Sequence, residues 1–230
     1  MKNIVITGTS SGLGKSLAKA FSESHDIYGI SRSESKEHVK SYKTCDFASL
    51  ESIDTNIQEL TKGVNDFDYV ILNAGTLGNL KKVCETSIEE YKRIFNINVW
   101  SNKVMLDYLL QNKNIKNVIA ISSGAALKTY FGWSLYCTSK AAFKQLISSY
   151  ADEYKSTRFV SLAPGLVKTK MQDKIYDHDE NIIPSVKKFK LAYNNMESPD
   201  KCAQKIVQNI NQIFWDSKNH YCDLRNIFTQ

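Results

Sequence analysis

The chain has 230 residues, of which 42% are hydrophobic and 23% are charged, a composition typical of globular proteins that excludes a disordered or fibrous chain. Its length suits one substantial core and is too short for two large domains. No run of 18 apolar residues is present, so the sequence predicts no membrane-spanning segment.

The formal net charge is +6, from 30 basic and 24 acidic residues. Only four of the basic residues are arginine, and the lysines are spread along the chain rather than clustered. Nucleic-acid-binding proteins concentrate their basic residues and favour arginine for paired contacts. The charge therefore predicts a lysine-rich solvated surface and no nucleic-acid partner.

The five cysteines form an odd set without a Cys-x-x-Cys pair, and no histidine stands at the spacing of a zinc ligand. The first seven residues lead directly into a predicted strand and have no features of a signal peptide. We therefore expect reduced thiols, no metal site and a cytoplasmic location.

Short apolar runs alternate with helical patterns along the chain. In chain order we predict strand 3–7, helix 13–23, strand 27–30, a weak strand 42–45, helix 50–62, strand 69–72, helices 87–95 and 99–111, strand 118–121, helix 135–154, strand 159–162, helix 199–214 and an edge strand 221–224. Such alternation is typical of a parallel sheet with crossover helices. The sequence predicts one α/β domain over residues 1–230, a Rossmann-type doubly wound parallel sheet of about seven strands with helices on both faces.

Two segments depart from this alternation. The stretch from Arg32 to Asp46 is short, so we expect a reduced helix between the second and third strands. Residues 166–198 are rich in lysine, asparagine and aspartate, and their apolar residues have no clear period. A long insertion near the carboxyl ends of strands is often a lid over a site, and we predict a substrate lid here, with an unstructured surface loop as the alternative.

A glycine-rich loop joins the first predicted strand to the first predicted helix. Residues 7–14 read Thr-Gly-Thr-Ser-Ser-Gly-Leu-Gly, without the Gly-Lys-Ser/Thr ending of a nucleoside triphosphatase. Glycines permit a tight turn and a close backbone approach, and the helix N-terminus offers unpaired N–H groups to a pyrophosphate. The predicted dinucleotide-binding residues of this loop are Gly8, Ser10, Ser11, Gly12, Leu13 and Gly14.

The end of the second predicted strand bears on the choice of dinucleotide. An NAD site usually has a carboxylate there, which binds the ribose 2′-hydroxyl. This chain has Ser31 followed by Arg32. Because a guanidinium suits a 2′-phosphate through charge-assisted hydrogen bonds, we expect Ser31 and Arg32 to favour NADP, with NAD possible and Arg32 as a plain surface charge the alternative.

Tyr136 and Lys140 are four residues apart on a predicted helix and so share one of its faces. Ser123 follows strand 118–121, at the edge where an open α/β sheet places its site. A phenol with an ordinary pKa of about 10 is a poor base at neutral pH, and a nearby ammonium group stabilises its phenolate. We expect Tyr136 to exchange a proton with a substrate oxygen that Ser123 holds. Three unrelated structural residues are the alternative interpretation.

With these motifs the chain resembles the short-chain dehydrogenase/reductase family over nearly its whole length. The further residues that carry the resemblance are Asp46, Asn73-Ala74-Gly75, Asn98 and Pro164-Gly165 with Thr169. The resemblance implies an NAD(P)-dependent oxidoreductase with a catalytic tetrad of Asn98, Ser123, Tyr136 and Lys140, in which Asn98 positions a water-linked proton relay to Lys140. It also implies that the cofactor contacts Asp46, Phe47, Asn73, Ala74, Gly75, Tyr136, Lys140, Pro164, Gly165, Val167 and Thr169.

A narrower resemblance is to the sepiapterin reductase and benzil reductase branch, and residues 122–126, 130–133, 136–141 and 164–172 carry it. Members of that branch reduce vicinal dicarbonyl groups with NADPH. The resemblance implies a substrate site formed by Ser123, Tyr130, Phe131, Trp133, Tyr136 and Met171. A packed turn over the core is the alternative for the aromatic residues, and Lys168 departs from the branch, where many members have aspartate.

The predicted function is therefore an NADPH-dependent carbonyl reductase that acts on a small ketone or vicinal dicarbonyl. A non-catalytic NADP-binding regulatory protein is one alternative, and a dehydrogenase that oxidises an alcohol with NAD is another. The complete set of Asn98, Ser123, Tyr136 and Lys140 argues against the regulatory protein, since a sensor needs only the cofactor site. The resemblance also implies oligomers, which are common in the family, so we expect a homodimer or homotetramer built on helices 99–111 and 135–154.

Overall fold

A single parallel β-sheet organises residues 2–228, the part of the chain that the computed structural model describes. The strands are β1 (Lys2–Thr7), β2 (His25–Ser31), β3 (Ser41–Thr44), β4 (Asp66–Leu72), β5 (Asn114–Ile121), β6 (Arg158–Ala163) and β7 (Tyr221–Asp223). The α-helices are α1 (Gly12–Phe21), α2 (Ile53–Leu60), α3 (Ile88–Phe95), α4 (Ser101–Asn112), α5 (Ser134–Glu153), α6 (Lys170–Tyr176), α7 (Lys187–Ala192), α8 (Pro199–Gln208) and α9 (Ile210–Trp215).

The seven strands lie in the order β3-β2-β1-β4-β5-β6-β7, and every neighbouring pair is parallel. The chain therefore winds outward from β1 to one edge, returns to β4 on the other side of β1, and winds outward again. This confirms the predicted doubly wound sheet. In such a sheet a crevice opens where the winding reverses, at the carboxyl ends of β1 and β4.

Alternate residues of the central strands face opposite sides of the sheet, and both sides are covered. In β1, Val5 belongs to a core with α2, α4 and α5, whereas Ile4 and Ile6 belong to a core with α1, α8 and α9. All three side chains are fully buried. The nearly continuous apolar runs of the sequence reflect this burial on two faces.

The segment 166–198 is folded. It contains α6 and α7 with 3₁₀ turns at Pro184–Val186 and Tyr193–Asn195. Its two ends are paired, since Val167 bridges Glu197, and the Lys168 N–H donates to the Glu197 carbonyl oxygen at 2.8 Å. The apolar residues of the segment pack on the start of α5, so it is a helical excursion rather than an unstructured loop.

Two sequence predictions of helices are wrong. Residues 32–40 connect β2 to β3 without any helix, because they offer no apolar period with which a helix would pack on the sheet. The predicted helix 199–214 is two helices, α8 and α9, which meet at Asn209. The Asn209 side chain donates to the Lys205 carbonyl oxygen, and such local bonds compete with a regular helix.

Within residues 2–228, no helix is both long enough and apolar enough to cross a membrane.

Candidate active site

A cleft of about 660 Å³ opens at the carboxyl ends of the central strands. It is lined by most of the residues that the sequence singled out, namely Gly8, Ser10, Ser11, Gly12, Leu13, Ser31, Arg32, Asp46, Phe47, Asn73, Ala74, Gly75, Ser123, Tyr130, Trp133, Tyr136, Lys140, Pro164, Gly165, Val167, Thr169 and Met171. Gly14, Asn98 and Phe131 are not part of this lining. One groove therefore joins the glycine loop to the Ser-Tyr-Lys group.

The glycine loop is packed against the turn that follows β4. A Cβ atom at Gly14 would lie 2.2 Å from the Gly8 carbonyl oxygen and 2.4 Å from Asn73 Nδ2. Thr7 Oγ1 accepts hydrogen bonds from the backbone N–H groups of Asn73 and Ala74, both at 2.9 Å. Only glycine fits at position 14, although its own atoms do not face the cleft.

The start of α1 fits the diphosphate of a dinucleotide. Ser11 precedes the helix and makes no side-chain capping bond, and the first N–H groups of a helix have no partner within it. Thr9 Oγ1 is buried without a hydrogen-bond partner in the same loop. Unpaired donors at the positive end of a helix dipole suit an anion.

The turn after β2 presents one exposed cation to the cleft. Arg32 lines the cleft with an exposed side chain, and Glu34 lines it nearby. The Glu34 carboxylate is 2.8 Å from Lys36 Nζ, and this hydrogen bond keeps the pKa of Glu34 below its ordinary value. Because Glu34 is paired, Arg32 dominates the charge of this end of the cleft.

Ser123, Tyr136 and Lys140 meet on the opposite side of the groove. Tyr136 and Lys140 lie in the first two turns of α5, and the Lys140 Nζ is 5.8 Å from the centre of the Tyr136 ring. Lys140 Nζ donates to the Ile121 carbonyl oxygen at 2.8 Å. Ser123 Oγ accepts the Ala125 N–H at 3.1 Å, and its hydroxyl also interacts with the Tyr136 side chain.

Burial shifts the pKa values of this group in opposite directions. Burial raises the pKa of Tyr136 to about 12, and a hydrogen bond with the Ser123 side chain opposes the rise only partly. Burial lowers the pKa of Lys140 to about 8. Desolvation is the largest cause of the Tyr136 shift, so the tyrosine holds its proton at neutral pH.

Asn98 supports the site from inside the protein. It is fully buried in a π-helical turn, Asn96–Trp100, that joins α3 to α4. Its Oδ1 accepts the Thr76 N–H at 2.8 Å, and its Nδ2 donates to Thr76 O and to Ser139 Oγ, both at 2.9 Å. Asn98 Oδ1 and Lys140 Nζ both lie near Gly75, at 3.3 and 3.6 Å from where a Cβ atom would stand.

The aromatic residues before α5 form a wall between the cleft and the lid segment, residues 166–198. Trp133 stacks on Phe189 of α7 with ring centres 4.8 Å apart, and Tyr130 contacts both rings. The Trp133 indole N–H donates to Ser185 Oγ at 2.8 Å. Phe131 is about half exposed and lies outside the cleft lining, so its side chain does not share the position of Tyr130 and Trp133.

Several cleft-lining residues were absent from the predicted site, and three of them carry a guanidinium or an aromatic ring. Arg93 comes from α3, Phe189 from α7 and Arg225 from the turn after β7. Arg225 is paired with Asp223, whose two carboxylate oxygens accept its Nε and Nη2 at 2.9 and 2.6 Å. The general preference of phosphate sites for arginine was the one available signal for Arg93 and Arg225.

No group of three or more His, Cys, Asp or Glu side chains in the described part of the chain is arranged to hold a metal ion. All five cysteines are free.

Comparisons with known proteins agree with this geometry. A family model described as short chain dehydrogenase matches residues 2–180. A benzil reductase ((S)-benzoin forming) from Bacillus cereus is 31% identical over 211 residues, which cover 82% of this chain and 85% of the relative. Another from Saccharomyces cerevisiae is 31% identical over 196 residues, covering 76% and 74%.

A solved structure is also similar over its full length. The crystal structure of a short chain dehydrogenase/reductase from Saccharomyces cerevisiae superposes with a TM-score of 0.85 at 25% identity. The match covers 100% of this chain and 99% of that one.

Proposed function

The chain belongs to the short-chain dehydrogenase family, and from that premise we propose that it is an NADPH-dependent reductase of ketones and vicinal dicarbonyl compounds. As a member of this family the protein is an NAD(P)-dependent oxidoreductase. Two of its relatives are benzil reductases, which is the branch that the sequence predicts. The choice of NADPH, the substrate and the roles of the individual residues are the content of the proposal.

The buried, protonated phenol of Tyr136 carries the proposal. A pKa of about 12 means that the hydroxyl enters the reaction with its proton in place. A protonated phenol is an acid, which reduction of a carbonyl requires, whereas alcohol oxidation requires a base. Because the same residue acts as the base in the reverse reaction, the direction is proposed from the relatives, which are named as reductases.

When bound in the cleft, NADPH would supply the hydride that the carbonyl carbon accepts. Ser123 donates its hydroxyl proton as a hydrogen bond to the carbonyl oxygen, and the Ala125 N–H holds the Ser123 oxygen in place. Tyr136 transfers its phenolic proton to the same oxygen as negative charge develops there. Lys140, which donates to the Ile121 carbonyl oxygen, would hold the nicotinamide ribose and would stabilise the phenolate that proton transfer leaves. Asn98 holds the Thr76 turn that forms the cofactor wall.

Arg32 supports the preference for NADPH. Its guanidinium lines the cleft where the adenosine ribose of a dinucleotide lies in this fold, and Glu34 is engaged by Lys36. The guanidinium of Arg32 therefore lies where a 2′-phosphate would need a cation.

The aromatic wall supports a flat substrate. Tyr130 and Trp133 line the cleft beside Tyr136, with the Trp133 and Tyr136 ring centres 6.2 Å apart. The names of the relatives point to benzil, a diketone that carries two aromatic rings. Stacking on such rings favours an aromatic dicarbonyl over a small aliphatic one.

The decisive experiment measures NADPH and NADH consumption with benzil, 1-phenyl-1,2-propanedione, diacetyl, sepiapterin and simple aldehydes. We expect turnover with NADPH on the aromatic vicinal diketones and weak turnover on simple aldehydes. Tight NADPH binding without turnover on any carbonyl would favour the regulatory alternative. Faster oxidation of benzoin with NAD⁺ than reduction of benzil with NADPH would favour the dehydrogenase alternative.

We further propose a homodimer or homotetramer that uses α4 and α5, as is common in the family. A cytoplasmic location is proposed from the five free cysteines.

A further inference from the structure

Tyr42 lies beside the turn that carries Arg32, and we propose that it is a positioning residue that sets the preference of the cofactor site for a 2′-phosphate. Tyr42 belongs to β3 and pairs with Gly29 of β2. The inference rests on the NADPH preference proposed above and adds a residue that does not line the cleft itself.

The Tyr42 hydroxyl ties together both ends of the turn 31–33. It lies 2.8 Å from Ser31 Oγ, and its single proton is shared between the carbonyl oxygen of Ser31, at 3.2 Å, and that of Ser33. Ser31 Oγ donates to the same Ser33 carbonyl at 3.0 Å. The backbone on both sides of Arg32 is therefore held by one phenol.

Gly29 provides the space for the Tyr42 ring. A Cβ atom at position 29 would lie 3.3 Å from Tyr42 Cδ2, 2.9 Å from Val39 Cγ1 and 3.0 Å from Thr9 Oγ1. The missing side chain lets the ring pack across β2, next to the glycine loop. Packing thus fixes the position of the Tyr42 ring. The hydroxyl therefore bonds to the turn with little loss of side-chain conformational entropy.

The number of hydroxyl protons at this turn shows whether Ser31 and Tyr42 can also donate to a bound phosphate. The Ser31 and Tyr42 hydroxyls have one proton each, and their partners are each other and the carbonyl oxygens of Ser31 and Ser33. Neither hydroxyl retains a proton for a phosphate unless a bond of the turn breaks. Ser31, expected from the sequence to contact the cofactor, is therefore assigned to support of the turn.

Arg32 is the free cation on this support. Its guanidinium has no hydrogen bond or ion pair within residues 2–228. Of the carboxylates that share the cleft lining, Glu34 pairs with Lys36 at 2.8 Å, whereas Asp46 accepts the Ala48 N–H at 3.1 Å. A 2′-phosphate that binds at this turn contacts the guanidinium of Arg32. Because the Arg32 backbone is already ordered, the contact costs less conformational entropy.

The test compares 2′,5′-ADP with ADP by titration calorimetry, so it needs no substrate and no turnover. Tyr42→Phe keeps the ring and removes the hydroxyl. We expect the affinity for 2′,5′-ADP to fall about fivefold, as for the loss of one ordinary hydrogen bond, and the affinity for ADP to stay unchanged. Tyr69→Phe, on β4, is the matched control and leaves both affinities as they are. Equal losses for both nucleotides with Tyr42→Phe would overturn the proposal.

A double-mutant cycle then asks whether Tyr42 acts through Arg32. Arg32→Gln removes the charge, and we expect no further loss for 2′,5′-ADP when Tyr42→Phe is added. Losses that simply add would show that Tyr42 acts independently and would overturn the inference. If Tyr42→Phe folds poorly, Ser31→Ala removes its partner and is expected to give the same selective loss.

The outcome is separable from that of the proposed function. A wild-type protein that binds both nucleotides equally well would overturn the NADPH preference and this inference together. Selective binding of 2′,5′-ADP that depends on Tyr42, in a protein that reduces no carbonyl compound, would sustain the inference and reject the reductase.

Discussion

At the scale of single residues, Tyr136 and Lys140 occupy one dry pocket, and burial acts on them in opposite senses. Removing water raises the pKa of the phenol to about 12 and lowers the pKa of the ammonium group to about 8. Both shifts favour the neutral form of the side chain. Tyr136 in this pocket therefore keeps its phenolic proton at neutral pH.

Tyr136→Phe removes the proton donor and keeps the ring. General acid catalysis contributes roughly 10²- to 10⁴-fold, so we expect kcat with an aromatic diketone to fall by at least about a hundredfold. The dissociation constant for NADPH, followed by its fluorescence, is expected to change less than about twofold. The control is Tyr69→Phe, and residual turnover above a tenth of wild type would contradict the role of Tyr136.

Lys140→Met is expected to stabilise the protein at neutral pH. The wild-type lysine has a pKa of about 8 in the folded state against an ordinary value of 10.5, so at pH 7 folding buries a charge at a cost. After subtracting the lost bond to Ile121 O, we expect the free energy of unfolding to rise by about 1–2 kcal/mol. Urea unfolding at pH 7 measures it.

The stability difference between Lys140→Met and the wild type is expected to change with pH. Between pH 8 and 10.5 the unfolded wild-type chain binds more protons at position 140 than the folded one, so wild-type stability rises with pH in this window. The advantage of Lys140→Met should therefore shrink from pH 8 to pH 10. An advantage that stays constant over this range would contradict burial of the charge as its cause.

At the scale of elements, the lid segment and the start of α5 form one unit. The Trp133–Phe189 stack and the Trp133–Ser185 bond join the segment to the aromatic wall. The two ends of the segment pair with each other through the bridge between Val167 and Glu197. Movement of the segment relative to the cleft must break the stack first.

Phe189→Ala removes the stack. An aromatic pair contributes about 0.5–1.5 kcal/mol, so we expect the KM for benzil to rise roughly two- to tenfold while NADPH affinity is kept. Amide hydrogen exchange within residues 170–195 should accelerate. Leu191→Ala, at a side chain that is 77% exposed, is the matched control. The same change in both variants would show that the stack has no special part in holding the segment.

The elements that could be predicted from the sequence are those set by local pattern. The strands and the glycine loop follow from apolar runs and from glycines at fixed spacing, and their positions are confirmed. Asn209 breaks a helix that the pattern extends, because its side chain bonds to Lys205 rather than because of any apolar signal. Phe189 and Arg225 reach the cleft through tertiary packing of segments whose own sequence has no motif.

At the scale of the whole molecule, the two ends of the sheet serve different purposes. The carboxyl edge holds the cleft, whereas the amino edge is closed by packing around His25 at the start of β2. The His25 ring contacts Phe21 and Tyr69, with ring centres 5.6 and 6.1 Å away, and its Nε2 is buried without a partner. Burial lowers the pKa of His25, against a smaller opposing effect of Asp68.

Acid should therefore destabilise the whole molecule through His25. Below about pH 6.5 the unfolded chain takes up a proton at His25 that the folded protein resists, so stability falls as the pH drops through that value. We expect His25→Gln to lose less Tm between pH 7.5 and pH 5.5 than the wild type. His178→Gln, in the lid segment, is the control. Parallel acid losses in wild type and His25→Gln would refute this role.

The strand order has a consequence for synthesis on the ribosome. The central strand β1 emerges first, but its neighbour β4 follows only at Asp66, and the last wall of the cleft waits for Arg225. A growing chain thus exposes the β1 edge until residue 72 of the 230 has been made, a setting that favours aggregation. The glycine loop and Asn73-Ala74-Gly75 are made early, whereas the lining from α5 onward, with Tyr136 and Lys140, comes only in the second half of the chain.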